Sequence, residues 1–428
     1  MTDSRIARLY GRRVWDSRGR PTVEAEVHLA GGAVGRAIAP AGASTGRGEA
    51  VDLRDGGRGY GGLDVRRAVG SVNGEIASAL QGQDAADQQS VDRLLVKLDG
   101  TDDLGRLGGN AIVATSMAVL HAAAAASGNP LWLHLSGGAP VRIPLPEIQI
   151  FGGGAHADRR VDVQDFMVVC PAATSFSEAL DWTAEIHRAT GSLMRKAGKS
   201  GGVADEGGFW PDFASNEEAL EALTLAIEAA GFRPSTQVGI SLDIAASQFG
   251  TAGHYRLALD DRSMGTDELI DLLGTWIEQY PILSVEDPVG EDDPDGMREF
   301  TQRYGDRCQV IGDDFLVTNA YRVETAAADG TANAVLVKPN QAGTITDALA
   351  ALSAGKEAGF STIVSARSGE SEDVTIAHLS VGWDAGQLKV GSFTRSERMA
   401  KWNEVLRIEE ALGSEAAFTG WSAFSFRR

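Results

Sequence analysis

The stretch "TDELIDLLGTWIEQYPILSVEDP", residues 266–288, contains a helical segment followed by a short β-rich run that ends in the acids Glu286 and Asp287. More β-rich runs occur in the second part of the chain, separated by helical segments such as residues 345–359. The runs are "VGISLDIAA", "ILSVEDP", "QVIGDDF", "NAVLVKPN", "STIVSARSG" and "QLKVGS". Such alternation predicts parallel strands joined by crossover helices.

Each of these runs carries a polar residue at or near its C-terminal end. In chain order these residues are Asp243, Glu286, Asp313, Lys338, Arg367 and Lys389. In a TIM barrel all such strand ends meet at one mouth, where active sites lie. An open doubly wound sheet is the competing architecture, but it normally has a glycine-rich phosphate turn after its first strand, and none follows residues 238–246. We therefore expect an α/β fold with a barrel of the TIM type.

The first part of the chain has a different pattern. Residues 21–40, "PTVEAEVHLAGGAVGRAIAP", alternate apolar and polar residues around a Gly-Gly turn, which predicts an antiparallel hairpin. The alanine-rich residues 110–128 suit a tightly packed helix. The boundary lies near "GNPLWLHLSGGAPVRIPLPEIQI". We expect an α+β domain over residues 1–135 and the barrel over residues 136–428.

Composition narrows the classes of partner. With Asp plus Glu 59 against Lys plus Arg 39, the net charge of -20 repels nucleic-acid phosphates and anionic membranes. Cys170 and Cys308 lie far apart, which argues against a disulfide framework or a zinc site. No apolar run approaches the roughly 20 residues of a membrane span, and the N-terminus lacks the apolar core of a signal peptide. We expect a soluble, cytoplasmic protein whose partner is a small anion.

The polar residues at the strand ends predict a metal site. Asp243, Glu286 and Asp313 would repel one another at one mouth unless a cation held them, and oxygen-only ligation favours magnesium over zinc. Any single acid could instead be a solvated loop residue or a helix N-cap. Lys338, held close to cations, would lose part of its preference for the ammonium form and act as a base near neutral pH. A structural salt bridge is the alternative for Lys338 and for Lys389.

Ten motifs occur in order along nearly the whole chain. They are "VWDSRGRPTVEAEV", "GASTG", "GGGAHADRRVDVQDFM", "ADEGGF", "LDIAAS", "SVEDP", "GDDFLVTN", "VKPNQAGT", "ARSGESED" and "RSERMAKWNEVLRIEEAL". This series resembles the enolase family. A lone GASTG would be weak support for the resemblance, whereas ten collinear motifs are strong support.

The resemblance implies both a fold and a reaction. The fold is an N-terminal α+β cap domain over a modified (β/α)8 barrel, assembled as a homodimer or a multiple of dimers. The cofactor is Mg²⁺, with one ion tightly bound and a second that arrives with the substrate. The mechanism, taken from the family, forms an enediolate stabilised by the metal ions.

The resemblance also implies a role for individual residues. Asp243, Glu286 and Asp313 match the ligands of the tightly bound ion, and Ser44 in "AGASTGRGEA" matches a ligand of the second. Lys338 matches the base that removes the proton beside the substrate carboxylate, and Glu206 matches the acid that assists the leaving group. The remaining matches are Arg367 and Ser368 as the phosphate clamp, Lys389 at the carboxylate end, and His156 on a loop that closes over the phosphate.

Several positions depart from the family pattern. Ala366 replaces the histidine of the motif Ser-His-Arg-Ser-Gly-Glu, near the phosphate side of the pocket. Asp165 replaces a glutamate that cooperates with the residue matched by Glu206, and its side chain is one methylene shorter. The other departures are Ala41 for serine, Gly48 for histidine, Gln248 for glutamate, and Pro339 after the predicted base.

These departures gather around the lid loops and the phosphate end, while the metal acids, both lysines and the clamp persist. This distribution favours a specialised member of the family that forms a carboxyphosphonoenolpyruvate-like product in phosphonate antibiotic biosynthesis. An ordinary phosphopyruvate hydratase, which converts 2-phosphoglycerate to phosphoenolpyruvate and water, is the alternative. A catalytically silent binding or structural protein is the third reading, but such a protein has no chemical need for the retained residues.

Overall fold

A computed structural model describes residues 3–199 and 201–427. The N-terminal part is an antiparallel three-stranded sheet in the order β1-β2-β3, with helices packed against it. Its strands are β1 Ile6–Trp15, β2 Pro21–Leu29 and β3 Val34–Ile38. Its helices are α1 Arg66–Ser71, α2 Ala77–Leu80, α3 Gln88–Asp99, α4 Gly109–Ser127 and α5 Leu131–Ser136, with a π-helical turn Val72–Ile76 between α1 and α2. These elements form the predicted α+β cap.

Helix α4 forms the centre of the cap. It is 19 residues long with a hydropathy of 1.4, so by length and composition it could cross a membrane, which the sequence reading had not recognised. It is nevertheless 83% buried, packed against β2 and β3. Its small residues permit this close packing: a Cβ at Gly35 on β3 would lie only 2.1 Å from the Ala122 backbone nitrogen. Helix α4 is therefore a core helix of the cap.

The second part of the chain is a closed barrel of eight strands in the order β11-β12-β13-β14-β15-β5-β6-β7. The strands of this part are β4 Arg142–Ile143, β5 Leu145–Gly152, β6 Asp165–Val169, β7 Gly239–Asp243, β8 Gly250–Thr251, β9 His254–Leu257, β10 Arg262–Gly265, β11 Ile282–Glu286, β12 Gln309–Gly312, β13 Ala334–Val337, β14 Ser361–Ser365, β15 Gln387–Ser392 and β16 Ala417–Phe418. All residues of the eight barrel strands are buried. Both faces of these strands are covered, as expected where helices surround a barrel. The predicted enolase-type barrel with a cap is confirmed.

Helices surround the barrel and return the chain from one strand to the next. They are α6 Phe176–Lys196, α7 Asn216–Ala229, α8 Thr266–Gln279, α9 Pro294–Tyr304, α10 Ala320–Asp329, α11 Pro339–Ala342, α12 Ile345–Glu357, α13 Thr375–Gly382 and α14 Ser396–Leu412. Several begin at a capping side chain; Ser175 accepts from the Glu178 amide and Thr344 from the Asp347 amide. Such caps satisfy amides that have no partner within the helix.

One barrel strand that was not among the six predicted runs has the opposite direction. The six predicted strands, β7 and β11 to β15, run parallel to one another as expected, whereas β6 is antiparallel to both β5 and β7. The reason is the connection, because β5 and β6 are joined by a loop whose only helical element is the 3-10 turn Gly154–His156. A parallel pair needs a long crossover, usually a helix, whereas an antiparallel pair can be joined by a loop. This loop carries His156 to the mouth of the barrel.

Candidate active site

The predicted metal acids lie at the ends of three adjacent barrel strands. Asp243 ends β7 and Glu286 ends β11, and the two residues are direct register partners. Asp313 follows β12, the next strand around the barrel. All three are buried, with relative exposures of 2%, 0% and 4%. The barrel topology thus brings together acids that are 70 residues apart in the chain.

Two ammonium groups lie among these acids. Lys389 Nζ is 2.7 Å from Glu286 Oε2 and 3.1 Å from Asp243 Oδ2. Lys338 donates to Asp313. The carboxylates of Asp243, Glu286 and Asp313 do not all lie within 4.8 Å of one another. Among the described residues, Asp313 instead forms such a group with Asp287 and Asp314. The lysines therefore hold part of the charge that a metal ion would neutralise.

The neighbouring carboxylates favour the charged form of both lysines. Burial by itself lowers the pKa of Lys338, but the Asp313 carboxylate outweighs burial and raises the pKa above its ordinary value. Burial opposes the ammonium of Lys389 too, yet Asp243 and Glu286 raise its pKa well above the ordinary value. Lys338 as a base near neutral pH stays a prediction, because in this arrangement a carboxylate rather than a cation is its closest partner. A divalent cation on Asp313 would remove that cause.

A second group of titratable residues lies beside the first, since Asp165 on β6 is the register partner of Asp243 on β7. His156 Nδ1 is 3.0 Å from Asp165 Oδ1, and His156 Nε2 is 3.9 Å from Glu206 Oε1. Burial lowers the pKa of His156, but Asp165 and Glu206 outweigh it and raise the pKa to about 9. Burial, opposed by His156, raises the pKa of Glu206. A cationic imidazole beside a carboxyl group whose pKa is raised suits general-acid chemistry.

The predicted phosphate clamp follows β14. The Arg367 guanidinium is buried and donates to Glu49 Oε2 at 2.9 Å, to Asn340 Oδ1 at 3.0 Å and to the Ser44 carbonyl at 2.8 Å. Ser368 Oγ accepts a hydrogen bond from Arg18 Nη1 at 3.2 Å. Two guanidinium groups therefore border the same end of the mouth. Planar, permanently charged groups of this kind recognise phosphate oxygens.

The lid loop of residues 41–49 closes this end of the barrel. Ala41 and Gly369 exchange backbone hydrogen bonds of 2.9 Å, which tie the lid to the loop that carries the clamp. Beneath the lid is a cavity of about 20 Å³, inside a pocket that opens to solvent. The cavity is lined by Gly42, Ala43, Ser44, His156, Gln164, Asp165, Glu206, Asp243, Lys338, Ser365, Ala366, Arg367, Ser368, Lys389 and Val390. Ten of the twelve predicted site residues line it; Glu286 and Asp313 are reached through their lysine partners.

Two family models match the chain in succession. The model described as "Enolase, N-terminal domain" matches residues 6–135, and the model described as "Enolase, C-terminal TIM barrel domain" matches residues 140–426. The chain belongs to the enolase family. Membership supports a magnesium-dependent lyase of the enolase superfamily.

The side chains of this enolase-family protein fit a magnesium ion. Glu286 Oε1 and Asp165 Oδ2 are buried without a hydrogen-bond partner. Burial and the charge of Asp243, opposed by Lys389, raise the pKa of Glu286 well above its ordinary value. Buried carboxylate oxygens that lack partners are the ligands a hard divalent cation prefers. Such an ion supplies positive charge for a carboxylate that is becoming an enediolate.

The departures from the enolase pattern occupy structural positions near the site. Ala366 is buried in the cavity wall, where its methyl group offers no polar atom. Gln248 Oε1 accepts from the Ala155 amide at 2.9 Å and its amide donates to Gln164, so it holds the loop of His156. Gly48 has φ +99, and a Cβ there would lie 2.8 Å from Arg322 Nη2. Pro339 starts helix α11, where a missing amide hydrogen costs nothing.

Several residues of the site were not predicted from the sequence. Gln164 Nε2 donates to Asp243 Oδ2 at 2.8 Å, and Gln341 Nε2 donates to Asp313 Oδ1 at 2.9 Å. Arg18 and Glu49 border the clamp, as described above. Gln164 stands next to Asp165, and Glu49 follows the GASTG motif, so their positions were a usable signal. The contacts of Arg18 and Gln341 depend on how segments that are distant in the chain meet in the fold.

Proposed function

We propose that this protein is a specialised enolase-family enzyme that forms a carboxyphosphonoenolpyruvate-like product through an enediolate. The observation that carries the proposal is the wall of the cavity. Ala366 places an uncharged methyl group beside the Arg367 and Ser368 clamp, while Lys338, Lys389 and the metal acids remain at the carboxylate end. The chemistry at carbon 2 is thus kept, and the group on its oxygen is the part that differs. Phosphonate antibiotic biosynthesis is the setting in which such a product is used.

Lys338 is the residue we assign to proton removal. A proton beside a carboxylate is very weakly acidic, because its loss places a second negative charge on the same group. Asp243, Glu286 and Asp313 would hold Mg²⁺, and we propose that a second ion arrives with the substrate near Ser44; when bound, these ions would supply positive charge that offsets the new charge. Lys389 also faces the carboxylate end. Lys338 accepts the proton from carbon 2 and becomes an ammonium ion.

Glu206 is the residue we assign to the leaving group. Its raised pKa favours the protonated form that a departing oxygen on carbon 3 requires. The His156 ring has Asp165 at Nδ1 and Glu206 at Nε2, and its pKa of about 9 makes it cationic at neutral pH. In a dehydration of 2-phosphoglycerate, the proton from Glu206 and the departing hydroxide form water, and the electron pair left at carbon 2 forms the double bond.

The phosphorus end supports the specialised reading. A carboxylate on phosphorus makes the substituent larger and more anionic than phosphate. The small side chain of Ala366 leaves space for it, and the guanidinium of Arg367, with Arg18 bonded to Ser368, supplies positive charge. We propose that the partner molecule is a small anionic phosphate or phosphonate.

Ordinary phosphopyruvate hydratase activity is the second candidate. It is favoured by the intact set of Lys338, Glu206, the three metal acids and the clamp around one cavity. The same set argues against a silent paralogue, because buried acids and lysines at one mouth are unfavourable to stability without a ligand to hold.

The test is the substitution Ala366→His, with Ala366→Leu as a control that fills similar space without an imidazole. The assay follows phosphoenolpyruvate formation from 2-phosphoglycerate and Mg²⁺. We expect poor turnover by the unaltered protein, a gain of about tenfold or more in Ala366→His, and no gain in Ala366→Leu. Brisk turnover by the unaltered protein without a gain would assign it to the ordinary hydratases.

We also propose a homodimer, or a multiple of dimers. The cap exposes an aromatic pair, Trp15 and Tyr60, which are 48% and 47% exposed and stack edge to face at 5.2 Å. Exposed aromatic groups of this size are typical of contact surfaces. Light scattering of Trp15→Ser against the unaltered protein would measure the change in mass.

A further inference from the structure

A buried acid that the proposed mechanism does not use lies inside the barrel. Glu147 is on β5 and is 0% exposed. Its Oε1 accepts a hydrogen bond from Ser241 on β7. Ser241 precedes Asp243 by two residues, so both side chains face the barrel interior and Ser241 lies about 7 Å deeper. The Glu147 carboxyl group therefore lies one layer below the metal acids.

Glu147 has an unused acceptor. Its Oε2 is buried and has no hydrogen-bond partner. In the strand register Glu147 pairs directly with Lys389 on β15, and parallel neighbours in register direct their side chains to the same face. Burial raises the pKa of Glu147, and the charge of Lys389 opposes that shift. An acid in this position is costly to bury unless a cation uses its free oxygen.

Lys389 faces a competition for its present partners. Its ammonium bonds Glu286 Oε2 and Asp243 Oδ2, the oxygens that a divalent cation would also use. When a cation binds these oxygens, the Lys389 ammonium loses both hydrogen bonds. Asp165 Oδ2 is also without a hydrogen-bond partner and lies 3.9 Å from Lys389 Nζ, but the negative charge of Asp165 is already paired with His156, whose Nδ1 is 3.0 Å from Asp165 Oδ1. Glu147 has a single bond, to Ser241.

We infer that Glu147 is a positioning residue that receives the Lys389 ammonium when a divalent cation binds Asp243 and Glu286. The exchange keeps Lys389 charged and pointed along the barrel axis while the acids above it serve the metal. The exchange also avoids the free-energy cost of leaving the Lys389 ammonium without a partner, so the metal binds more tightly. The inference rests on the metal ligands assigned under the proposed function.

The experiment measures Mg²⁺ binding to the full-length protein by titration calorimetry, without substrate. Glu147→Gln keeps the shape and the hydrogen bond to Ser241 but removes the charge. Glu147→Asp keeps the charge but changes the shape. We expect the dissociation constant to rise about tenfold in Glu147→Gln, the size typical of residues that support metal ligands, and to stay within about threefold in Glu147→Asp. A role in packing alone would give the opposite ranking.

A double-mutant cycle shows whether Glu147 acts through Lys389. Lys389→Met removes the ammonium, so adding Glu147→Gln to it is expected to change Mg²⁺ binding by less than about twofold. An equal effect of Glu147→Gln in both backgrounds would overturn the inference, as would no effect in the unaltered background. Ser241→Ala, which keeps the carboxylate and frees it from its bond, is expected to retain binding. A loss in Ser241→Ala equal to that in Glu147→Gln would also overturn it.

A separate variant distinguishes failure of this inference from failure of the metal assignment. Glu286→Gln removes a predicted ligand and is expected to abolish Mg²⁺ binding. If binding survives in Glu286→Gln, the proposed ligands are wrong. If Glu286→Gln abolishes Mg²⁺ binding and Glu147→Gln leaves it unchanged, only the role of Glu147 is wrong.

Discussion

The substitution Asp165→Asn tests the electrostatics of the acid side of the cavity. Asp165 accepts from His156 Nδ1 at 3.0 Å, and the pKa of His156 is raised from 6.5 to about 9. The difference corresponds to about 3 kcal/mol in favour of the imidazolium ion. Asparagine keeps the shape and removes the charge. Because burial then acts against only the Glu206 carboxylate at 3.9 Å, we expect the pKa of His156 to fall below 7.

The sign of the stability change follows from the direction of the shift. A histidine whose pKa is raised in the folded state stabilises it fully below the unfolded value of 6.5, and this contribution is lost as the pH rises through about 9. Asp165→Asn should therefore destabilise the protein most at pH 6 to 6.5, by up to about 3 kcal/mol. The difference should become small above pH 9.

Nuclear magnetic resonance titration of the imidazole nitrogens measures this pKa directly. The chain has 7 histidines, and the spectrum of His156→Gln identifies the signal of His156. Asp158→Asn, an exposed acid of the same loop, is the matched control and should leave the His156 titration unchanged. An His156 that still titrates near pH 9 in Asp165→Asn would refute the reasoning, as would a destabilisation equal at pH 6 and pH 9.5.

Three further predictions concern the base, the clamp and the junction between cap and barrel. Lys338→Met should lower the rate of proton removal by about 10²–10⁴-fold while Mg²⁺ binding, measured by calorimetry, is retained or tightened because Asp313 loses a competing cation. Arg367→Lys should weaken binding of inorganic phosphate by about tenfold, because a lysine ammonium cannot replace the planar guanidinium that Glu49 and Asn340 hold in place. Unchanged phosphate binding would show that the clamp lies elsewhere. Asp92→Ala should cost about 3 kcal/mol in urea unfolding, because Asp92 on α3 accepts from Thr346 at 2.6 Å and 3.0 Å and is buried; exposed Asp102→Ala should cost almost nothing.

The sequence was sufficient to predict the barrel because its strands end in a recognisable way. This prediction requires only a local pattern, short apolar runs followed by Asp243, Glu286, Asp313 and Lys338, and the known property that the strand ends of a barrel converge. Strand β6 was not among the predicted runs, and its direction depends on the loop that joins it to β5 rather than on its own residues.

The arrangement of charges was also beyond the sequence. Whether Lys338 lies against a cation or against Asp313 depends on distances between side chains from different strands, and the ordinary pKa of a lysine says nothing about that choice. Glu147 is the clearest case, since a single acid in "PLPEIQI" has no local signal of burial. Its partner Ser241 is 94 residues away along the chain.

The most direct test of the central claim is deuterium exchange at carbon 2 of 2-phosphoglycerate, followed by proton magnetic resonance in heavy water. We predict that the unaltered protein catalyses this exchange only in the presence of Mg²⁺, and that the exchange disappears in Lys338→Met, whether or not product accumulates. Exchange that persists in Lys338→Met would contradict the assignment of the base. No exchange by the unaltered protein, although substrate binds with Mg²⁺, would contradict the claim that this site forms an enediolate.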